Sequence, residues 1–336
     1  MANLKIRSNF PTALQDAGID TFADLFCGIG GFHYAAEDLG LRCAFASEID
    51  KPARAQYQQN FGIEPKGDIK RISIEEIPDH DILFGGFPCQ PFSIIGEMKG
   101  FEDERGDLFL EILRVLRGKK PKAFVLENVR QLTTIRGGRV MARIVSGLEE
   151  SGYEVDYKIL NALDCGLPQK RERVIIVGFL DDSLELFQWP KKKPEYKPLA
   201  EVLEAEPHQR HFVSAQIRAK RHGQHKAKTS PAVWHENKGG NISSHPFSCA
   251  LRANASYNYL LVDGERRLTP REQLRLQGFP DTFEIVGNDG QIRKQTGNAV
   301  PVPMVRAVLR EVMGAASKNQ RRNLQTRTIS DQRVSA

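Results

Sequence analysis

The chain has 336 residues, 40% apolar and 27% charged, with a net charge of +6. That composition suits a soluble globular protein with one large domain or two ordinary ones. No apolar run approaches a membrane span and the first ten residues hold no signal-peptide core, so neither insertion nor export is expected. Five cysteines (Cys27, Cys43, Cys89, Cys165, Cys249) are scattered and never spaced Cys-x-x-Cys. A disulfide framework or a zinc site is not expected, and a reducing cytoplasm is the natural compartment.

Strands and helices are predicted to alternate over residues 22–180. A strand at 22–26 runs into a glycine turn, and a helix over 32–39 is stopped by Gly40. A strand over 43–47, a helix over 53–60, a short strand ending near Asp68 and a strand over 82–84 follow. Residues 108–116 have helical periodicity, 123–126 read as a buried strand, 140–148 as a helix and 174–177 as a strand. Short apolar runs between helices predict an α/β fold with a doubly wound, mostly parallel sheet.

Composition changes at Trp189-Pro190-Lys191-Lys192-Lys193-Pro194. A second, smaller and irregular domain with little helix is expected over 189–293. Within it, Thr269-Pro270-Arg271-Glu272 has the pattern of a capped helix start, and Gly278 ends that helix. A last helix is expected over 302–313, and 317–336 read as a disordered basic tail. The first domain then comprises 1–188 and 294–316. Between His208 and Arg252 stand eight Lys/Arg and one acid, with six of the chain's eight histidines. Such a block suits phosphate contacts, and equally a solvated face; the histidines lack metal-ligand spacing, so no metal is expected.

Four places carry chemistry. The turn Phe26-Cys27-Gly28-Ile29-Gly30-Gly31-Phe32 lets a ligand approach the backbone, as in a nucleotide site. Glu48 at the next strand end can accept hydrogen bonds from ribose hydroxyls, and Asp68 can meet an adenine edge flanked by Ile49 and Ile69. Cys89, in Gly86-Phe87-Pro88-Cys89-Gln90-Pro91-Phe92-Ser93, follows a strand at the end where ligands collect. Glu127, after Phe124-Val125-Leu126, is a carboxylate close enough to an apolar strand to keep a proton near neutrality. Arg171 and Arg173 enter another strand and could pair with it or contact substrate.

In order along the chain, Asp24–Phe32, Gly86–Ser93, Glu127-Asn128-Val129, Gln169–Arg173, Arg267–Asp281 and Gln295-Thr296-Gly297-Asn298-Ala299-Val300 resemble the motifs of cytosine-5 DNA methyltransferases, most closely the compact bacterial restriction–modification type. The resemblance covers roughly 22–310. It implies S-adenosyl-L-methionine as cofactor, contacted at Phe26, Gly28, Ile29, Gly31, Glu48, Ile49, Asp68, Ile69, Pro88, Leu108 and Asn298. It implies a catalytic set in which Cys89 adds to carbon-6 of cytosine, Glu127 protonates or holds ring nitrogen 3, Arg173 grips the carbonyl oxygen, and Arg171 stands nearby. Thiolate addition turns carbon-5, a poor nucleophile, into an enamine-like one.

The same resemblance implies double-stranded DNA as partner, a flipped-out target base, and a lid over 90–107 whose Ser93 and Arg105 contact the backbone. Ile95 departs from a serine in a close relative of the pattern, which leaves its part in filling the vacated stack open. The recognition region falls in the basic segment, about 205–260, where Arg252 is either a guanine reader or a phosphate contact. A monomer paired in function with a restriction endonuclease, without a stable complex, is expected. Two other readings stand beside this one: a transfer-RNA cytosine methylase of the same family, whose Cys-Phe-Thr motif is not found here, and a non-catalytic DNA-binding relative.

Overall fold

The computed structural model describes residues 17–88 and 107–334. Its central sheet contains β1 (Thr21–Leu25), β2 (Arg42–Ser47), β3 (Ile82–Gly86), β4 (Ala123–Val129), β5 (Glu154–Asn161) and, after the two-residue β6 (Gln169–Lys170), β7 (Glu172–Phe179). The order is β2-β1-β3-β4-β7-β5. β1 to β4 pair in parallel, and β7 runs antiparallel to both β4 and β5. The sheet is therefore mostly parallel, as the apolar runs imply.

Period-two alternation sends the side chains of these runs to two cores. Phe22, Phe84, Val125 and Val177 face one, with α1 (Gly31–Glu37) packed over them. Ala23, Leu83, Phe124 and Ile176 face the other, under α3 (Asp107–Lys119) and α4 (Arg139–Glu149); α2 (Lys51–Phe61) follows β2. The last helix, α8 (Val302–Val334), places Val302, Val305, Val308, Leu309 and Val312 in the first core, so the chain returns to the domain where it began.

Between these parts lies a smaller unit. Its sheet is β8 (Val233–Glu236), β9 (Ile242–His245) and β11 (Leu260–Val262), all antiparallel, while β10 (Ser248–Cys249) pairs with β6. It also holds α5 (Ala215–Gln224), capped by Ser214. α6 (Pro270–Gln277) starts with the expected capping box of Thr269 and Glu272 and ends at Gly278. α7 (Asp289–Asn298) has a second such box from Asn288 and Gln291.

Three expectations are corrected, and β5 was not expected at all. β5 carries exposed Tyr157 and Ile159 at the sheet edge and lacks the continuous apolar run that marks its neighbours. No strand ends at Asp68 among the described residues: the segment makes one bridge, Lys66 to Ser47, and Asp68 caps a 3-10 turn. The small unit, irregular over much of its length as expected, also holds a three-stranded sheet and α5. Its own core, from Leu199 to Leu276, ends before the expected boundary at 293/294, which falls inside α7. Phe279, Phe283 and Ile292 already join the first core. Finally, the segment expected to be a disordered tail continues α8 to Val334. After Gly314 it contains neither Gly nor Pro to break a helix, and Arg322 pairs with Asp182 and Glu185.

Candidate active site and nucleic-acid interface

The carboxyl ends of β1, β2, β3 and β4 meet at one edge of the sheet. Gly28, at φ +56° with open space where a side chain would start, begins the turn after β1. Its amide donates to Glu48 Oε2 at 2.9 Å, and the Asp50 amide donates to Glu48 Oε1 at 2.8 Å. Glu48 thus fixes the turn and keeps lone pairs on both oxygens for a ligand. Burial pushes its carboxyl up, against the pull of those amides. Beside it Ile49 is 70% exposed, an uncovered apolar face that suits a purine ring. Phe26 takes a left-handed backbone at φ 59°, and Ile29 is buried beneath the turn.

Other expected cofactor positions fall differently. Gly31 opens α1 so close to Val300 that an added Cβ would lie 3.0 Å from the Val300 carbonyl oxygen. Asp68 accepts from the Lys70 amide, and part of its side chain stays exposed. The Ile69 side chain is packed in the core at the start of the turn that Asp68 caps. Pro88 is exposed, Leu108 half-buried and Asn298 exposed at the end of α7. Asp24, which sequence reading missed, lies fully buried with both oxygens lacking a hydrogen bond; the Ser47 hydroxyl is equally bare. Burial first, and the charge of Glu48 second, raise the Asp24 pKa well above the usual carboxylate range. Its only warning in sequence is an acid inside Thr21-Phe22-Ala23-Asp24-Leu25.

Register sets Gly86 opposite Glu127. A Cβ on Gly86 would stand 3.8 Å from Glu127 Oε2, so the absence of a side chain keeps that carboxylate clear. Glu127 Oε1 lies 2.6 Å from Arg173 Nε, with both side chains largely buried. Burial raises the Glu127 pKa, opposed by Arg173 and Arg171. The next residue, Asn128, donates from Nδ2 to the Phe87 carbonyl at 2.9 Å and so fixes the chain two residues before Cys89. Cys89 itself, with Ser93, Ile95, Arg105 and the lid, lies outside the described residues.

Arg171 departs from its expected place in the catalytic set. It is 1% exposed and donates to three backbone carbonyls: Leu251 at 2.7 Å, Gly297 at 2.9 Å and Ala299 at 2.8 Å. Burial lowers its pKa to about 9, which leaves it protonated at neutral pH. With all three carbonyls satisfied by one guanidinium, it joins the small unit to the end of α7 rather than meeting substrate. Gln169 adds to that joint, donating to Leu276 O at 2.8 Å and accepting from the Leu251 amide at 3.0 Å.

That joint brings the loop after β10 to the active-site edge. Arg252 is exposed, its guanidinium 4.8 Å from the Tyr259 ring centre and 3.5 Å from His235 Nε2. It has no carboxylate partner among the described residues. Three of the block's eight Lys/Arg are neutralised within the protein: Arg210 pairs with Asp289, Arg218 with Glu265 and Arg221 with Glu236. Lys220, Lys226, Lys228 and Lys238 remain exposed.

A glycine turn anchored by the acid at the end of the next strand, on a sheet whose one reversed strand lies beside β4, defines a methyltransferase fold. The solved structure of Entamoeba histolytica methyltransferase EhMeth shares it at TM-score 0.70 and 19% identity, covering 88% of this chain and 98% of that one. The family model for C-5 cytosine-specific DNA methylases matches residues 21–314, and the chain belongs to that family. It is 53% identical over 289 residues to Type II methyltransferase M.NgoBI of Neisseria gonorrhoeae (84% of this chain, 90% of that protein). It is 49% identical over 310 residues to Type II methyltransferase M.HaeII of Haemophilus aegyptius (91% and 97%). The chain is accordingly a DNA cytosine-5 methyltransferase that uses S-adenosylmethionine. The open turn at Gly28, the doubly anchored Glu48, the bare Ile49 and the unsatisfied acid Asp24 fit that cofactor.

Proposed function

We propose that this chain methylates one cytosine of a specific duplex sequence through a covalent adduct with Cys89, within a bacterial restriction–modification system. The Glu127–Arg173 pair, beside the bare Gly86, carries the reading. Arg173 holds the Glu127 carboxyl at one oxygen, and Oε2, on the side where Gly86 has no side chain, is the atom assigned to the pyrimidine edge. A buried carboxyl with a raised pKa gives a proton to ring nitrogen 3 and draws electrons from carbon-6 as the Cys89 sulfur adds there. Arg173 also has donors for the carbonyl oxygen of the same ring. When bound, S-adenosylmethionine supplies an electrophilic methyl group to carbon-5. A water molecule takes the carbon-5 proton, the electron pair left behind reforms the ring double bond and expels the thiolate, and ring nitrogen 3 returns its proton to Glu127.

Glu48, the Gly28 turn and Ile49 hold the cofactor, with Phe26, Ile29, Gly31, Asp68, Ile69, Pro88, Leu108 and Asn298 around it. Ser93 and Arg105 contact the DNA backbone from the lid. Arg252, without a carboxylate among the described residues and stacked on Tyr259, reads a base or grips a phosphate. The chain acts as a cytoplasmic monomer, paired in function with an endonuclease without a stable complex. The catalytic unit comprises the central sheet and α8, and the recognition unit the insertion with β8, β9 and β11. Bisulfite sequencing of DNA from cells expressing the chain tests the reading: protected cytosines at one position of one short sequence are expected. Unmodified DNA, with methyl transfer to transfer RNA instead, would overturn it.

A further inference from the structure

Helix α7 stands between the cofactor turn and the recognition loop, and consecutive residues on it reach in the two directions. Lys294 pairs with Asp50. Asp50 caps α2 through the Ala53 amide and donates its own amide to Glu48, whose other oxygen holds Gly28. Arg293 donates to Ala255 O at 2.8 Å and to Ser256 O at 3.4 Å, and its guanidinium lies 4.9 Å from the centre of the Tyr257 ring. Arg267 approaches the same ring at 4.5 Å and donates to Asn258 Oδ1. One helical turn on, Gly297 meets the loop backbone so tightly that an added Cβ would be 2.2 Å from Ala253 N. Loop 252–258 therefore rests on α7 at two places, and α7 is tied to the acid that shapes the cofactor turn.

We propose that Arg293 and Lys294 are positioning residues that make DNA recognition and cofactor binding cooperative. Arg293 acts through loop 252–258 on the setting of Arg252, and Lys294 acts through Asp50 and Glu48 on the Gly28 turn. Ordering the turn around a ligand restrains α7 through Lys294, and a restrained α7 leaves less freedom to be lost when the loop meets DNA. Neither residue touches the reacting atoms. Arg293 carries no carboxylate partner among the described residues, so the loop carbonyls and Tyr257 are what hold it. A change at position 293 is therefore felt first by the loop.

The test uses the full chain and four titrations: S-adenosylhomocysteine with and without a duplex carrying the modified sequence, and that duplex with and without S-adenosylhomocysteine. In the parent protein each ligand is expected to tighten the other by the same factor, at least about fivefold. Arg293→Lys and Lys294→Gln are expected to lower that factor to below about twofold. A merely structural role would weaken DNA binding equally in the presence and absence of S-adenosylhomocysteine and leave the factor unchanged. An unchanged factor in both variants, or no coupling in the parent, overturns the proposal. Circular dichroism confirms that each variant is folded, and Lys294→Arg, which keeps the charge opposite Asp50, should restore coupling.

Discussion

Replacing Arg171 by lysine separates a joint from a catalytic group. The arginine satisfies three buried carbonyls, those of Leu251, Gly297 and Ala299, at 2.7 to 2.9 Å. A lysine ammonium in the same space reaches one of them well. Two carbonyls then lose their donor in a buried setting, and each unsatisfied group costs about 1–3 kcal/mol. The expected loss is about 2–6 kcal/mol, tempered by relaxation to roughly 3 kcal/mol. With a urea slope of about 3 kcal/mol/M, the midpoint falls by about 1 M. Arg173→Lys serves as the control: its side chain lies at the site, so the midpoint should move less while kcat/KM falls more. The reasoning is refuted if Arg171→Lys leaves the urea midpoint in place and abolishes turnover, for then the guanidinium would act on substrate.

Glu127→Gln retains a hydrogen-bonding side chain and removes the transferable proton, so kcat should drop by about 10²- to 10⁴-fold while the affinity for S-adenosylhomocysteine is unchanged. In the parent, burial raises the Glu127 pKa, so activity that needs its acid form persists to higher pH than a free glutamic acid would allow and then declines; a parent profile with no such decline would count against the proton's role. His33 is buried against Tyr57 Oη at 2.5 Å, and burial lowers its pKa from 6.5 to about 3. The unfolded chain therefore binds the extra proton between those values, and stability present above pH 6.5 is lost as pH falls toward 3, by about 2 kcal/mol at pH 5. His33→Gln should flatten that part of the stability curve in urea titrations at pH 5 and pH 8, and equal slopes in both proteins would show that His33 is not the group responsible.

The catalytic half was legible because a buried parallel sheet writes itself as continuous apolar runs: Ile82-Leu83-Phe84 and Phe124-Val125-Leu126 announce β3 and β4, and Glu127 stands out by following one. β5 was not, since an edge strand with Asp156 and Lys158 among its residues satisfies its backbone without an apolar signature. The capping box at Thr269 was visible because all its parts lie within four residues. Arg171 and Arg173 look alike in sequence; what separates them is partners 80, 126 and 128 residues away for the first and a strand neighbour for the second. The same distance hid Lys294 and Asp50. The basic block overstated its charge, since the acids that neutralise Arg210 and Arg218, Asp289 and Glu265, lie outside it.

The central claim concerns a bond between the Cys89 sulfur and carbon-6 of a cytosine in DNA. A duplex carrying 5-fluorocytosine at the modified position blocks loss of the carbon-5 substituent, so with S-adenosylmethionine present the adduct should accumulate. The account predicts a protein–DNA species that survives denaturing electrophoresis with the parent chain and is absent with Cys89→Ser. No such species from an otherwise active parent, or the same yield from the serine variant, would contradict it.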